Sequence, residues 1–312
     1  MQIHLIYHMD ADGHASAGIV QEHLRRERPG AELIFHPIDY GMAWDDAVIQ
    51  QYDRVYLLDF MLQPVARMRA FVEHCRLQEA HLTWIDHHRT SLVAEAEEPL
   101  LLGVQGVREE GRAACELTWN WCFHERQLPE VIELVAAWDV FRRDHPAWDR
   151  LVRPLQLYLR AIDSDPATNH GFWQQVFCQD GDRAVVQDAH EYGAILMRYQ
   201  QRVEDDRMQA GAAVGPFAGY RALVVNAPGL NSTPFERDPR SAEVDLFVAW
   251  SVVASGQISV SMYRPQGRDV PDLGALAKQL GAAGPYGTGG GHPGAAGFQT
   301  DWAHLQRLLH GE

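Results

Sequence analysis

The sequence has very little lysine, no paired-cysteine motif and no long hydrophobic run. Lys278 is the only lysine, so nearly all of the positive charge comes from arginine. The chain has 27 basic and 42 acidic residues, which gives a formal net charge of −15. This balance excludes a general basic surface for long duplex nucleic acid. It leaves room for a small phosphate substrate, because a metal site supplies its own local positive charge.

Cysteine and hydrophobic patterning together bound the class of protein. Cys75, Cys115, Cys122 and Cys178 form no C-x-x-C pair, and their apolar, helix-like surroundings predict reduced core residues in a cytoplasmic protein. No apolar run approaches the ~20 residues of a membrane span. The start lacks the pattern of a signal peptide. We therefore expect a soluble globular chain with no membrane partner.

The amino-terminal half alternates between strands and helices. Apolar runs predict strands over 3–8, 31–37, 55–59 and 81–85. Amphipathic stretches between them predict helices over 15–28 and 64–75. Repeated βα units predict an α/β fold with a doubly wound, mainly parallel sheet.

The remainder is first helical and then rich in strands. Helices are predicted over 112–126, 129–138, 148–162, 170–177 and, as one long connecting helix, 182–209. Strands follow over 220–226, 244–254 and 258–263, with helices over 272–280, capped by Gly281, and 302–309. The segment 284–298 is too rich in glycine to predict a regular element. We expect a catalytic domain over 1–182, a linker helix over 183–212 and a smaller α+β domain over 213–312.

Three of the predicted strands run directly into acids or histidines. A pair of adjacent histidines alone is weak evidence in a chain with 16 histidines. Three strands that end in this way are hard to explain by packing, because buried carboxylates are costly unless they are paired or bound to metal. Open α/β sheets also bind ligands at the carboxyl edge of their strands. The residues at these exits are His8, Asp10, Asp12, Asp59, Asp86, His87 and His88.

A further candidate acid, Asp139, ends the helix predicted over 129–138. Imidazoles mixed with carboxylates suit a pair of Mn²⁺-like ions. None of the candidate ligands is a cysteine, which argues against a structural zinc. Two ions about 3.5–4 Å apart can share a hydroxide and clamp both reacting oxygens of a phosphate, which predicts hydrolysis at phosphorus. Each acid also has a structural explanation: a helix cap or turn for Asp10, Asp12 and Asp59, and an ion pair with Arg142 or Arg143 for Asp139.

These motifs resemble those of the DHH phosphoesterase superfamily. The segment from His8 to Gly13 is similar to the first motif, with His8 in place of the first Asp. Leu58-Asp59 resembles the second motif, Asp86-His87-His88 the third and Ala137-Trp138-Asp139 the fourth. The stretch from Thr288 to Phe298 resembles the G-G-G-H loop of the associated carboxyl-terminal domain. Order and spacing agree over both halves, and the most similar subgroup is the small nano-RNase (oligoribonuclease) and phosphodiesterase-like members.

The resemblance implies a role for each matching residue. It implies two Mn²⁺ ions, with Mg²⁺ or Co²⁺ as substitutes. One ion would be held by His8, Asp10 and Asp59, and the other by Asp12, Asp59, His87 and Asp139. Asp86 would orient the site and His88 would face the substrate phosphate. Substrate binding is implied for Gly289, Gly290, Gly291, His292 and Arg264.

Two positions depart from the family pattern. Thr288 stands where the family usually has a first glycine. Arg264 comes one place later than in relatives, so Tyr263 occupies the corresponding slot. A shift of one residue on a strand reverses the side that it faces. The sequence therefore leaves open which of Arg264 and Tyr263 faces the substrate.

The leading interpretation is a Mn²⁺-dependent phosphodiesterase that cleaves short oligonucleotides or dinucleotides. A pyrophosphatase or exopolyphosphatase is an alternative, but the single lysine and the G-G-G-H loop count against it. A catalytically silent nucleotide-binding module is a second alternative, against which the complete ligand set argues. The sequence leaves the preferred nucleotide, activity on cyclic dinucleotides and the end of attack open. It also leaves open the oligomeric state, with a homodimer as one option.

Overall fold

The computed structural model describes residues 2–40, 42–253, 255–287 and 289–311. The chain divides into two compact units, Met1–Met197 and Arg198–Glu312. The division falls within the segment 183–212, for which the sequence predicts a linker helix. Thr288, one of the two departures from the family pattern, lies outside the described residues.

The first unit is built on a four-stranded parallel sheet in the order β2-β1-β3-β4. The strands are β1 (Ile3–His8), β2 (Leu33–Ile38), β3 (Arg54–Leu58) and β4 (His81–Ile85). Both β1 and β4 have the bounds predicted from their apolar runs. The α/β fold with a parallel sheet is therefore confirmed.

Helices cover both faces of this sheet. Along β1, Leu5 and Tyr7 pack in the cluster that contains residues of α1 (Ala11–Glu27). Ile6, which points the other way, packs in the cluster with residues of α2 (Val65–Leu77). Side chains alternate between the faces of a strand, so a strand buried on both faces is apolar throughout. This double burial explains the continuous apolar run of β1.

The register of the sheet brings the three strand exits to one level. Tyr7 pairs with Leu58, and Leu58 pairs with Ile85. The residues that follow these strands therefore gather along one edge of the sheet, where parallel α/β sheets place their ligands.

The rest of the first unit is helical. Its helices are α3 (Arg89–Glu97), α4 (Pro99–Leu102), α5 (Ala114–Phe123), α6 (Glu130–Asp139), α7 (Arg153–Ala161), α8 (His170–Val176) and α9 (Gln179–Asp188). Short turns of 3-10 and π geometry lie at Asp46–Val48 and Trp148–Val152. The single long helix predicted over 182–209 consists of α9, a π turn at Ala189–Gly193 and α10 (Ala194–Gly211).

The second unit contains a six-stranded mixed sheet in the order β5-β6-β7-β8-β10-β9. Its strands are β5 (Ala213–Phe217), β6 (Tyr220–Asn226), β7 (Leu246–Val252), β8 (Ile258–Tyr263), β9 (Gly289–His292) and β10 (Ala295–Thr300). Its helical segments are α11 (Ser232–Arg237), a 3-10 turn at Pro239–Glu243, α12 (Leu273–Ala283) and α13 (Trp302–Leu309).

Two expectations for the second unit are wrong. The glycine-rich stretch does form regular structure, since β9 and β10 are antiparallel neighbours within it. Gly281 does not cap α12, because the helix continues to Ala283 and ends at Gly284. Glycine-rich strands carry no side-chain signal, so pattern analysis misses them.

The cysteines differ in burial. Cys75 and Cys115 are buried as predicted, and Cys122 is partly buried, whereas Cys178 is exposed, so the prediction of a core residue is wrong for Cys178. All four are free thiols. Across the described part of the chain, no helix combines the length and the apolar character that crossing a membrane requires.

Candidate active site

Asp10 links the end of β1 to the start of α1. Its Oδ1 accepts a hydrogen bond from the backbone N–H of Gly13 at 3.0 Å and so caps the helix. Its Oδ2 lies 2.9 Å from His8 Nδ1. The cap explanation is therefore correct for one oxygen of Asp10, and the other oxygen stays directed at the strand edge.

Gly13 allows α1 to start directly against β1. A Cβ at this position would lie 2.1 Å from the carbonyl oxygen of His8, which no side chain could tolerate. The glycine thus keeps the first turn of α1, and with it Asp12, close to the strand exit.

Asp12 is bound by a helix distant in sequence. Its Oδ2 and Oδ1 accept hydrogen bonds from the backbone N–H groups of Ala114 and Cys115 at 2.8 and 2.7 Å, in the first turn of α5. A helix amino terminus stabilises negative charge. The Oδ2 atom also lies 3.7 Å from His87 Nε2. Asp12, which is 1% exposed, therefore joins α5 to the candidate site.

Asp59 leaves β3 in a left-handed conformation, with φ of 55°. Such a backbone is uncommon outside glycine, although Asp and Asn tolerate it better than most residues, and it occurs often at functional sites. The Oδ1 atom lies 3.3 Å from His87 Nε2, and Oδ2 lies 3.5 Å from His8 Nδ1. The cap explanation is wrong for Asp59, because Pro64 is the residue that precedes α2. Its buried carboxylate instead lies between two imidazoles.

Asp86 is fully buried and accepts four hydrogen bonds. The donors are the backbone N–H groups of His87 and His88, His88 Nδ1 and the Ser91 hydroxyl, at 2.7, 3.1, 2.8 and 2.5 Å. Burial alone would raise the pKa of Asp86, but these donors outweigh it and lower that pKa. Because Nδ1 is fixed by Asp86, His88 has Nε2 left for a ligand, and its side chain is 33% exposed.

Asp139 ends α6 with its Oδ2 atom 3.2 Å from His87 Nε2. The predicted alternative, an ion pair with a following arginine, is wrong. Arg142 instead donates to both carboxylate oxygens of Glu116 at 2.9 and 2.5 Å, and Arg143 lies over the Phe141 ring. Asp139 therefore faces the strand edge, with His87 rather than an arginine as its basic neighbour in the described part of the chain.

The candidate ligands form three overlapping groups. In each group, one atom from each of three residues lies within 4.8 Å of the others: His8 with Asp10 and Asp59, Asp12 with His87 and Asp139, and Asp59 with His87 and His88. Several buried atoms here have close polar neighbours but no partner in hydrogen-bond geometry among the described residues: His8 Nδ1, both Asp59 oxygens, His87 Nε2 and Asp139 Oδ2. Buried atoms of this kind need a partner. Divalent cations bound by mixed oxygen and nitrogen ligands fit this donor set.

Without a cation, several of the carboxylates at this edge of the sheet are difficult to ionise. Burial raises the pKa of Asp59 well above its ordinary value, that of Asp12 to about 8 and that of Asp139 to about 7. Burial would lower the pKa of His8, but the Asp10 and Asp59 carboxylates outweigh it and raise that pKa to about 11. Carboxylates that resist ionisation until a cation arrives are typical of metal sites.

Two neighbours of His8 are absent from the predicted set. Asp39 Oδ1 lies 3.4 Å from His8 Nε2, the ring nitrogen opposite the site. The Tyr40 ring lies 5.5 Å from His8 and 4.8 Å from Phe60 between centroids. Asp39 follows β2, so the rule that identified the other strand exits applies to it as well. No sequence signal identifies Tyr40.

The glycines of β9 have different structural requirements. A Cβ on Gly289 would lie 2.1 Å from the Ala277 carbonyl oxygen in α12, and one on Gly291 would lie 2.6 Å from Ala296 Cα. Packing within the second unit therefore requires glycine at both positions. Gly290 has open space instead, with Lys278 Cε as its nearest neighbour at 3.8 Å. His292 is exposed at the end of the strand.

The structure separates the surroundings of Arg264 and Tyr263. Arg264 Nη2 donates to the Pro293 carbonyl oxygen at 2.9 Å and to those of Val270 and Pro271 at 3.3 Å. The Tyr263 hydroxyl donates to the Leu230 carbonyl oxygen at 2.8 Å. Both side chains thus bind backbone within the second unit, and the substrate contact predicted for Arg264 stays a prediction.

Comparison with known proteins bears on the fold. No family model and no curated protein matches the sequence. The DHH domain of a member of the s1p family of ribosomal proteins is similar in structure, with a TM-score of 0.66, 12% identity and coverage of 99% of this chain and 85% of that one. The pGpG-specific phosphodiesterase PggH from Vibrio cholerae has a TM-score of 0.53, 14% identity and coverage of 99% and 96%. The chain therefore has the DHH fold, and the resemblance predicted from its motifs is confirmed at that level.

Proposed function

We propose that this protein is a metal-dependent phosphodiesterase that hydrolyses short oligonucleotides or dinucleotides. The observation that carries the proposal is the position of Asp59, whose two oxygens lie 3.3 Å from His87 and 3.5 Å from His8. This carboxylate thereby belongs to two groups of candidate ligands, one with His8 and Asp10 and the other with His87 and His88. A shared carboxylate between two ligand sets is what a two-metal phosphoesterase requires.

The ligand residues have distinct tasks in this proposal. His8 and Asp10 would hold one ion, Asp12, His87 and Asp139 would hold the other, and Asp59 would serve both. Mn²⁺ suits this mixed set best, with Mg²⁺ or Co²⁺ as substitutes. Bound ions would activate water and neutralise the negative charge of the phosphodiester. Asp39, which lies 3.4 Å from His8 Nε2, orients the His8 ring from the side away from the ions.

His88 acts on the substrate in this proposal. Burial would lower its pKa, but the hydrogen bond to Asp86 outweighs burial and raises the pKa of His88 to about 9. The contact with Asp86 favours the protonated imidazole, whose Nε2–H can donate to a phosphate oxygen. Asp86 keeps the ring in place for this contact, as carboxylates do for catalytic histidines elsewhere.

The second unit contributes substrate binding. Its candidate contacts are Gly290, which has open space beside it, and the exposed His292. A bare backbone N–H and an imidazole suit the phosphate or sugar of a nucleotide. The formal charge of −15 agrees with substrates too short to need a long basic track.

A substrate panel with added Mn²⁺ tests the proposal. It contains di- to pentanucleotides, cyclic dinucleotides, a 3′,5′-bisphosphonucleoside, pyrophosphate and polyphosphate. Turnover of short oligonucleotides, lost in Asp59→Asn and kept in the exposed-acid control Asp180→Asn, supports it. Phosphate release from pyrophosphate or polyphosphate alone would establish the pyrophosphatase alternative. Binding without turnover of any substrate would establish a silent module.

A further inference from the structure

A cavity of about 300 Å³ lies beside the candidate metal cluster in the first unit. Asp10, Asp12 and Asp139 are among its lining residues, so the cavity adjoins the candidate metal cluster. Ligand pockets span roughly 300–1,000 Å³. This volume therefore suits one ring system rather than a whole oligonucleotide.

Gln156, on α7, is a buried polar residue of this cavity that the proposed chemistry leaves unused. It is only 4% exposed, and its amide nitrogen Nε2 has no hydrogen-bond partner among the described residues. A buried donor without an acceptor is destabilising. Because Gln156 also lines the cavity, a ligand bound there would be the natural acceptor for this amide.

The charge of the lining decides what kind of ligand fits. Away from the cluster, Arg160 and Asp163 offset each other, so no surplus of positive charge is left for a terminal phosphate. Trp138 and Leu159 supply flat and apolar surface, and the ring of His14 is held by Ser164 Oγ at 3.2 Å. A neutral aromatic ring that carries hydrogen-bond acceptors matches this lining better than a phosphate dianion does.

We propose that the cavity receives a nucleobase of the substrate and that Gln156 donates its amide N–H to the edge of that base. The inference rests on the proposed function, because it gives a binding place to the base of the nucleotide whose phosphate would lie at the metal cluster. Glutamine amides recognise base edges in other proteins by the same donor and acceptor geometry. Gln156 would then determine base preference without taking part in the chemistry.

The test compares Gln156→Met, which keeps length but removes the amide, with the wild-type protein. Gln21→Met is the matched control, because Gln21 is also buried with an unpartnered amide atom but lies outside this cavity. Calorimetry in the presence of Mn²⁺ measures binding of the four nucleoside 5′-monophosphates and of inorganic phosphate. Turnover is followed in parallel on dinucleotides and on bis(p-nitrophenyl) phosphate, which has no base.

We expect Gln156→Met to weaken binding of the preferred nucleoside monophosphate by roughly 5- to 50-fold and to reduce the differences among bases. Binding of inorganic phosphate and turnover of the base-free ester should stay as in the wild type. The melting temperature should not fall, because an unpartnered buried amide is replaced by an apolar group. Gln21→Met should leave base preference unchanged.

Three outcomes would overturn the inference. Unchanged base preference in a folded Gln156→Met variant removes Gln156 from recognition. If Gln156→Met loses as much activity on the base-free ester as on dinucleotides, Gln156 stabilises the fold or the metal cluster and does not recognise a base. Weaker binding of inorganic phosphate in Arg160→Met, with Gln156→Met unaffected, means that the cavity takes a phosphate. Because binding is measured directly, base recognition can stand even if wild-type turnover, and with it the proposed function, fails.

Discussion

His87 Nε2 lies 3.3 Å from Asp59 Oδ1, although the two residues follow different strands of the parallel sheet. The same nitrogen lies 3.2 Å from Asp139 Oδ2 and 3.7 Å from Asp12 Oδ2. Three carboxylates from separate parts of the chain thus converge on one imidazole. Backbone N–H groups of α5 bind Asp12, but the buried oxygens of Asp59 and Asp139 Oδ2 have no hydrogen-bond partner among the described residues, which favours a cation at this point.

Replacement of Asp139 tests the ligand that belongs to a helix rather than a strand exit. Asp139→Asn should lower kcat by roughly 10²-fold or more, as removal of a catalytic group does, and should weaken one of the two ion-binding steps. Metal titration and steady-state turnover measure the two effects. Asp180→Asn, at an exposed position of α9, is the control. Intact metal content and rate in Asp139→Asn would make Asp139 structural.

Replacement of Asp86 tests the orientation of His88. Asp86→Asn removes the charge that fixes His88 Nδ1, and kcat should fall roughly 10²- to 10⁴-fold while the protein still binds metal. The Ser91→Ala variant, which removes one of the other donors to Asp86, should cost far less, since the contact to His88 remains. Near-native turnover in Asp86→Asn would show that His88 needs no orienting carboxylate.

Strand exits could be predicted from the sequence because an apolar run followed by an acid is a local pattern. Asp59 and Asp86 were found in that way, and the register of the sheet then brings them together. The same rule, applied to β2, would have found Asp39. Asp139 follows no strand, and it entered the candidate set as the acid that ends a predicted helix.

Other features depend on contacts that no local pattern encodes. Asp12 is bound by backbone N–H groups of α5, which are remote in sequence and carry no side-chain signature. The strand β9 consists of three glycines and His292, and its glycines at 289 and 291 are required by close backbone contacts rather than by a hydrophobic pattern. Tertiary packing decided these features, so the sequence alone could not predict them.

The pH dependence of stability should differ between metal-free and metal-loaded protein. The pKa values of Asp12, about 8, and Asp139, about 7, are raised above their unfolded values near 3.8. A raised carboxyl pKa contributes stability that is full below about pH 4 and is lost as the pH rises through 7 to 8. Bound cations keep these groups ionised at little cost. The melting temperature in chelator should therefore fall from about pH 4 to about pH 8, and Mn²⁺ should largely remove the part of that fall that lies near neutral pH.

The Asp12→Asn variant is the control for this dependence. It removes one titrating group, so the decline of the metal-free melting temperature over that interval should become shallower. If the melting temperature of the wild-type protein depends on pH in the same way with chelator and with Mn²⁺, titration of Asp12 and Asp139 does not cause the decline.

The exposed end of β9 tests the proposed substrate contacts of the second unit. His292→Ala should lower kcat/KM on dinucleotides by roughly 5- to 150-fold, the effect of one lost hydrogen bond, and should leave a minimal chromogenic diester nearly unaffected. Gly290→Ala should fold normally, because the structure leaves space there, and should lose activity only if a ligand approaches the backbone. Equal losses on both substrates would place His292 in the chemistry or the fold, and no loss on either would remove it from substrate binding.

The most direct test of the central claim is the number of ions bound by wild-type protein and by Asp59→Asn. Titration of metal-free protein with Mn²⁺, checked by elemental analysis, should give two ions per chain for the wild type. Asp59→Asn should disturb both binding steps and lower kcat by roughly 10³-fold, because one carboxylate serves both ions. A single tightly bound zinc with no response to Mn²⁺, or a folded Asp59→Asn variant with two ions and near-native turnover, would contradict the account.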